Sequence, residues 1–294
     1  MKNLYLKLAY RYEDVKKCLK GKTPIPLSAT IFPSERCNLH CVYCHSESIH
    51  DGGQMSWDTY KSVIDDLKLF GVESVAFEGG GEPLLNPLMG KFITYAKGKG
   101  LGVGILTNGT IYIDELLLAD WIRISLDVPN KEIFNEIKVP SDPECFDKIL
   151  GNIATLVQNK SKTTIGIKFM LSKWWTDREA CKKLCRDLGV DYCQVKYVRH
   201  HKLSLMDDRA RAGEACKLTP LKVVINYDGS LHLCPFFHHQ PQMKIGDGLL
   251  SELWGSEQHK KAISCIDPKK CAYYDCPMRN IDFQRLEDAH LSWV

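Results

Sequence analysis

The chain of 294 residues sets 39 Lys and Arg against 36 Asp and Glu, a net charge of +3, with 44% hydrophobic and 26% charged residues. That balance gives no ground for nucleic-acid or membrane binding, and a chain this long buries roughly 75% of its unfolded surface, so disulfide staples are unnecessary. No window reaches the apolar length of a membrane span and the first residues lack a signal-peptide core, so the thirteen cysteines point to a reducing compartment, the cytoplasm.

Residues 4–19 set Leu4, Leu8, Val15, Cys18 and Leu19 among Lys, Arg and Glu, the pattern of an amphipathic helix ending near Gly21. Pro24 and Pro26 punctuate the entry into an apolar run, 27–32, read as the first strand. Directly after it come Cys37, Cys41 and Cys44 in C-x3-C-x2-C spacing. Thiolates select zinc, copper(I) or iron–sulfur clusters, and a cubane [4Fe–4S] cluster normally takes four of them. Three thiols leave one metal position for something else, and open positions belong to catalytic sites. A zinc loop with a distant fourth ligand is the alternative.

Ser56 is placed to cap a helix whose Trp57, Tyr60, Val63, Ile64, Leu67 and Phe70 follow helical spacing up to Gly71. Strand signals then recur at 74–78, 102–106, 121–126, 164–170 and 192–198, with helical patterns near 87–98, 114–119, 145–158 and 174–188. With the first strand that makes six. Apolar strands alternating with helices predict an α/β fold, a parallel sheet curved into a partial (β/α)6 TIM-type barrel. Chemistry in such sheets gathers on the loops after the C-terminal ends of the strands.

Those loops carry the informative residues. The second strand runs into Glu78-Gly79-Gly80-Gly81-Glu82-Pro83, where three missing β-carbons expose backbone to a close ligand. The third ends in Thr107-Asn108-Gly109 and the fourth in Ser125-Leu126-Asp127. Asn and Ser can bind ribose hydroxyls or a carboxylate there, although singly each is a turn former. Lys168 lies within the fifth strand, and Arg199, His200 and His201 follow the last one, all able to reach a substrate or cofactor.

Beyond residue 205 the pattern changes. A polar linker, 209–213, precedes two short strand signals, 222–226 and 231–233, joined by Tyr227-Asp228-Gly229-Ser230, whose Asp-Gly pair favours a tight hairpin. A helix is expected over 249–263, then a cysteine-bearing tail. The expected division is a helical extension, 1–24, the barrel, 25–205, and a small C-terminal cysteine-rich α+β module, 206–294. His238 and His239 could line the interface of that module. Cys18, Cys145, Cys181, Cys185 and Cys193 read as buried small apolar residues.

Together, the cysteine triplet with Tyr43 before its last member and the Gly80-Gly81-Glu82-Pro83 run resemble the radical S-adenosylmethionine (SAM) superfamily over residues 25–200. The resemblance implies that Cys37, Cys41 and Cys44 ligate three irons of a [4Fe–4S] cluster and that SAM chelates the fourth. Gly79, Gly80, Gly81, Glu82, Asn108 and Ser125 would bind SAM. Reductive cleavage would then generate a 5′-deoxyadenosyl radical that abstracts a substrate hydrogen. The spacing from Cys216 through Gly229 to Cys234 resembles the opening of the SPASM and twitch extensions, which implies an auxiliary [4Fe–4S] cluster on Cys216, Cys234, Cys271 and Cys276, with Cys265 as substitute.

The implied enzyme is an oxidoreductase or epimerase acting on a small sugar, cyclitol or nucleoside-like substrate, with flavodoxin or ferredoxin as reductant. A peptide-modifying maturase is the alternative. A non-catalytic iron–sulfur carrier or zinc scaffold is the rival from another class, and it leaves Gly79–Gly81, Asn108 and Ser125 without a common purpose.

Overall fold

The computed structural model describes residues 10–44, 52–197, 219–235 and 241–266. Helix α1 (Tyr12–Leu19) precedes β1 (Ser28–Ile31), α2 (Trp57–Phe70), β2 (Ser74–Phe77), α3 (Met89–Gly98) and β3 (Gly102–Thr107). Then come β4 (Trp121–Asp127), α4 (Lys131–Lys138), α5 (Cys145–Asn159), β5 (Thr164–Leu171), α6 (Arg178–Asp187) and β6 (Tyr192–Tyr197). The C-terminal part adds β7 (Lys222–Ile225), β8 (Leu231–His232), β9 (Lys244–Gly246), α7 (Leu250–Leu253) and α8 (Glu257–Ser264).

The sheet order is β6-β5-β4-β3-β2-β1-β7-β8-β9, with seven parallel strands from β6 to β7 and antiparallel β8 and β9 at the edge. This is the expected α/β architecture of partial-barrel type, with one addition. β7 pairs in parallel along the whole of β1, Ser28 with Lys222 through Ile31 with Ile225. The C-terminal strands therefore extend the sheet that carries the cysteine loop.

Alternation along the strands sorts the two faces of the sheet. Ala29, Ile31, Val75, Phe77, Val103, Ile105, Ile122, Ile124, Ile165 and Ile167 are all at most 2% exposed and form the core under the helices. Their neighbours in sequence, including Ser28, Ser74, Trp121, Arg123, Ser125 and Lys168, turn to the other face and are half-buried. The core face is dry and apolar; the inner face is polar.

Local signals place the helices over that core. The Ser56 side chain accepts from Thr59 N to cap α2, and Gly71 closes the helix at φ 96°, a left-handed position that costs glycine little. Tyr60 of α2 stacks on Phe92 of α3 at 3.9 Å and donates its hydroxyl to the Phe92 carbonyl at 2.6 Å. Helix α4 carries no expectation from the sequence, although Asn130 caps it by accepting from Ile133 N. The helix expected over 249–263 breaks into α7 and α8, because Gly255 takes φ 82° and Ser256 starts a new helix by accepting from His259 N. Among the described residues no helix is long and apolar enough to cross a membrane.

Candidate active site

The cysteine loop leaves the C-terminal end of β1, beside the glycine run that leaves β2. Backbone hydrogen bonds continue the pairing past both strands: Glu78 N donates to Ile31 O at 3.1 Å, Gly81 N to Ser34 O at 3.2 Å and Glu82 N to Arg36 O at 2.7 Å. A β-carbon on Gly81 would lie 2.1 Å from Arg36 O, and one on Gly80 would lie 2.0 Å from the Glu35 carboxylate. Both distances are impossible for real atoms. What these glycines admit is the stem of the cysteine loop itself, which can then lie directly on the run.

Glu82 is buried, 3% exposed. Its carboxylate accepts from Thr107 Oγ1 at 2.6 Å, Asn108 N at 2.7 Å and Leu84 N at 3.1 Å. Burial pushes its pKa up while these donors oppose the shift. Asn108 is equally committed. Its Nδ2 donates to Asn38 Oδ1 at 2.8 Å, and its Oδ1 accepts from Thr110 N at 2.9 Å and Thr110 Oγ1 at 2.7 Å. Asn38 Nδ2 donates to Thr110 Oγ1 at 2.8 Å. Asn38 sits inside the cysteine motif, so this ring of amides and hydroxyls ties the loop to the end of β3. Asn38, Thr107 and Thr110 carry no expectation from the sequence, because their roles exist only once β3 lies beside the loop.

A second tie comes from β4 and α4. Asp127 follows a register shift in the β4–β5 pairing and takes φ 73°; Val139, just after α4, takes φ 45°. They are the non-glycine residues with positive φ among those described, and for β-branched Val139 that region is strained. Between them, buried Lys138 pairs with Asp127 Oδ2, and Tyr43 Oη donates to the same oxygen at 2.7 Å. Burial raises the pKa of Asp127, but the nearby Lys138 and Lys168 ammonium groups outweigh it and hold the carboxyl down at about 2. The Lys138 and Ile137 carbonyls accept from His40 N and Val42 N, both at 3.0 Å. Loop, strand and helix are thus joined around one buried ion pair.

Cys37, Cys41 and Cys44 are half-buried, and none of the described cysteines is in a disulfide. Burial pushes the Cys37 thiol up to about 11 and raises that of Cys41. Among the described residues no three His, Cys, Asp or Glu side chains converge on a single ion position. Ser125 lies on the inner face of β4, level with Lys168 of β5, whose side chain also turns inward. Cys234 follows β8, next to Leu233, whose N donates to Met243 O at 3.0 Å; Cys265 caps the end of α8 and is exposed. Cys216, Cys271, Cys276, Arg199, His200, His201, His238 and His239 lie outside the described residues.

Of the residues expected to be buried filler, Cys18, Cys145, Cys181 and Cys185 are buried and Cys193 is half-buried. The hairpin at Asp228-Gly229 also forms, with Gly229 at φ 87° and Ser230 N donating to Asp228 Oδ1 at 2.9 Å. The preceding Tyr227 packs on Gly53, where a β-carbon would lie 2.1 Å from its ring, and Gly53 O accepts from Glu35 N at 2.8 Å. The C-terminal hairpin therefore touches the segment that returns from the cysteine loop.

Comparison with known proteins agrees with this geometry. The chain is 26% identical over 81% of its length to the tungsten-containing aldehyde ferredoxin oxidoreductase cofactor-modifying protein of Pyrococcus furiosus. It is 29% identical over 60% of its length to the subtilosin biosynthesis protein AlbA of Bacillus subtilis. The chain spans 65% and 40% of the length of these two relatives. Streptococcus suis SuiB, solved with its precursor peptide SuiA, shares the fold at a TM-score of 0.68 and 14% identity, over 92% of this chain and 80% of that one. The Radical SAM superfamily pattern matches residues 31–183, more than half of the chain, a span that starts at the last residue of β1 and takes in the cysteine triplet, the glycine run and β2 to β5. The chain therefore belongs to the radical SAM superfamily, whose cofactors are a [4Fe–4S] cluster and SAM.

Proposed function

We propose that Cys37, Cys41 and Cys44 hold the [4Fe–4S] cluster at the C-terminal ends of β1 to β4, and that the backbone of Gly79–Gly81, with Asn108 and Ser125, lines the SAM beside it. The observation that carries this is the stitched loop: three half-buried thiols on a stem that lies flush against the glycine run and is tied to Asn108 through Asn38. The donor set fits the group. Thiols that burial keeps protonated become thiolates when iron takes the place of the proton. A cubane seats its cysteines on separate irons, so it does not require them to converge on one ion position.

When bound, cluster and cosubstrate supply a 5′-deoxyadenosyl radical, formed by one-electron reductive cleavage of SAM, that abstracts a hydrogen atom from the substrate. The chain's own residues position and shield. Glu82 acts through the loops it joins, since Thr107, Asn108 and Leu84 occupy its carboxylate. The Lys138–Asp127 pair and Tyr43 fix the cysteine loop from below. Cys234, with Cys216, Cys271 and Cys276, or Cys265 as substitute, would hold an auxiliary [4Fe–4S] cluster in the segment beyond residue 205, and flavodoxin or ferredoxin would supply the electron.

For the substrate, a small molecule of sugar, cyclitol or nucleoside-like kind is the first reading, ending in oxidation or epimerisation. The polar inner face, with Arg123, Ser125 and Lys168 half-buried, supports it, as does similarity to a relative named for modifying a cofactor. Peptide modification is the second, favoured by the likeness to AlbA and to SuiB bound to its precursor peptide. The test is substrate-stimulated release of 5′-deoxyadenosine from reconstituted protein, with deuterium transfer from labelled candidates. Small molecules that accelerate release and transfer deuterium support the first reading; acceleration by peptides alone replaces it with the second.

A further inference from the structure

Arg123, Lys168 and Gln194 are inner-face side chains to which the reading above gives no part in holding SAM. In the parallel register Ser125 is level with Lys168 and Lys168 with Gln194, while Arg123 is level with Gly166 and Gly166 with Tyr192. Residues two apart on a strand share a face at a spacing of about 6.6 Å, so Arg123 lies one level below Ser125, farther from the cysteine loop. Glycines here make room for two aromatic rings. A β-carbon on Gly104 would lie 2.1 Å from the Trp121 indole, and one on Gly166 would lie 2.2 Å from the Tyr192 ring. The two rings thus lie over β3 and β5, the strands flanking that of Arg123.

Among the described residues the charges on this face are out of balance. Lys168 Nζ reaches Asp127 Oδ1 at 3.5 Å, long for a hydrogen bond, and Lys138 already holds the other oxygen of that carboxylate. Arg123 adds a third cation, and its Nε is buried without a hydrogen-bond partner among the described residues. Gln194 Oε1, on the neighbouring level, is likewise a buried acceptor without a donor among the described residues. Burial lowers the pKa of Lys168, Asp127 opposes the shift, and the positive charges of Lys138 and Arg123 add to it. An orphaned donor, an orphaned acceptor and surplus positive charge on one half-buried face are costly unless a ligand completes them.

We propose that this face is an anion subsite for the substrate, in which Arg123 and Lys168 take an oxyanion, a phosphate or a carboxylate, and Gln194 accepts from a donor beside it. A guanidinium matches the paired oxygens of either group. The proposal rests on the inner face being the substrate chamber of the radical enzyme, and it narrows the substrate to molecules that carry negative charge.

The test uses reconstituted protein saturated with SAM, so that the carboxylate of SAM is not the anion detected. Inorganic phosphate and acetate are titrated calorimetrically in chloride buffer of matched ionic strength, into wild type, Arg123→Gln, Arg123→Lys and Lys168→Met. Wild type should bind one of the two anions, phosphate or acetate telling which oxyanion the site prefers. Arg123→Gln should weaken it roughly 10–100-fold, the worth of hydrogen bonds to a charged group, with partial recovery in Arg123→Lys. Lys91→Gln, whose ammonium lies 3.5 Å over the Trp57 ring on the outer surface, should not change binding. Absence of binding in wild type, or equal binding in wild type and Arg123→Gln, overturns the subsite. Should Arg123→Gln not fold by circular dichroism, equal binding in Lys168→Met overturns it. No reduction is required, so a missing anion site with 5′-deoxyadenosine still released defeats this inference alone, and the converse result defeats the radical-enzyme reading alone.

Discussion

Two groups of three cysteines invite comparison. Cys181, Cys185 and Cys193 gather where α6 packs on β6, as Cys37, Cys41 and Cys44 gather after β1. Burial raises the thiols of Cys37 and Cys41 in one group and of Cys181 and Cys185 in the other, Cys37 and Cys181 alike to about 11. The resemblance ends there. Cys181 Sγ donates to Asp177 O at 3.3 Å and Cys193 Sγ, on β6, to Cys181 O at 3.8 Å, weak contacts to the backbone of α6 and its N-cap. The first group sits on a loop at a strand C-terminus, against backbone with no β-carbons and above a buried ion pair. Three thiols, two of them with raised pKa, are common to both groups, so it is the surroundings that make one of them a site.

Substitution separates the two groups most sharply. Ala at Cys37, Cys41 or Cys44 should abolish SAM cleavage and lower the iron content by about one cluster, counted by colorimetric assay; Cys185→Ala should keep both and lose only about 1–2 kcal/mol in a denaturant titration. Next comes the ion pair. Lys138→Met leaves buried Asp127 with only the more distant Lys168 as a cation and should cost up to about 3–5 kcal/mol, whereas Lys138→Arg should recover most of it, read from the same titrations. Gly81→Ala drives a methyl group into Arg36 O and should cost about 1–3 kcal/mol together with lower iron retention, while Gly151→Ala, in a helix with open space around it, should not destabilise.

The smallest effect concerns pH and lies away from both groups. Burial depresses the His259 pKa from 6.5 to about 4. The folded state thus binds fewer protons than the unfolded one, and the stability present above pH 6.5 falls as pH drops from 6.5 towards 4, by roughly 1–3 kcal/mol. Denaturation midpoints at pH 7.5 and 5 measure this, and His259→Gln should flatten the slope.

The six strands of the barrel and the helices α2, α3, α5 and α6 are legible in the sequence because each buries a continuous or regularly spaced apolar face. Trp57 to Phe70, between Ser56 and Gly71, shows cap, stripe and stop within one segment. The place of β7 is not legible. Lys222–Ile225 looks like a strand, but its pairing with Ser28–Ile31 joins residues nearly two hundred apart, and nothing local encodes it. Helix α4 is short, so Ile133, Phe134 and Ile137 give too few turns to establish a period. With α4 unforeseen, Lys138 could not be matched to Asp127.

The site divides in the same way. Three thiols at fixed spacing, a glycine run and polar residues at strand ends are local signals, and the structure brings Cys37, Gly81 and Asn108 to one end of the sheet. What the sequence could not show is which partner each residue serves. Gly80 and Gly81 read as room for a ligand, yet on the side where a β-carbon would stand the Glu35 carboxylate meets Gly80 and the backbone of Glu35 and Arg36 meets Gly81. Glu82 reads as a ligand contact, and its carboxylate is occupied by Thr107, Asn108 and Leu84. Such assignments depend on loops from different strands meeting.

Electron paramagnetic resonance of the reduced, reconstituted protein, with and without SAM, tests the central claim most directly. The expected result is a [4Fe–4S] signal that changes when SAM is added, is lost in Cys41→Ala, and is retained with the same response in Cys185→Ala. A signal that ignores SAM, or one that responds to it equally in Cys41→Ala, would contradict the assignment of the triplet as the open cluster site.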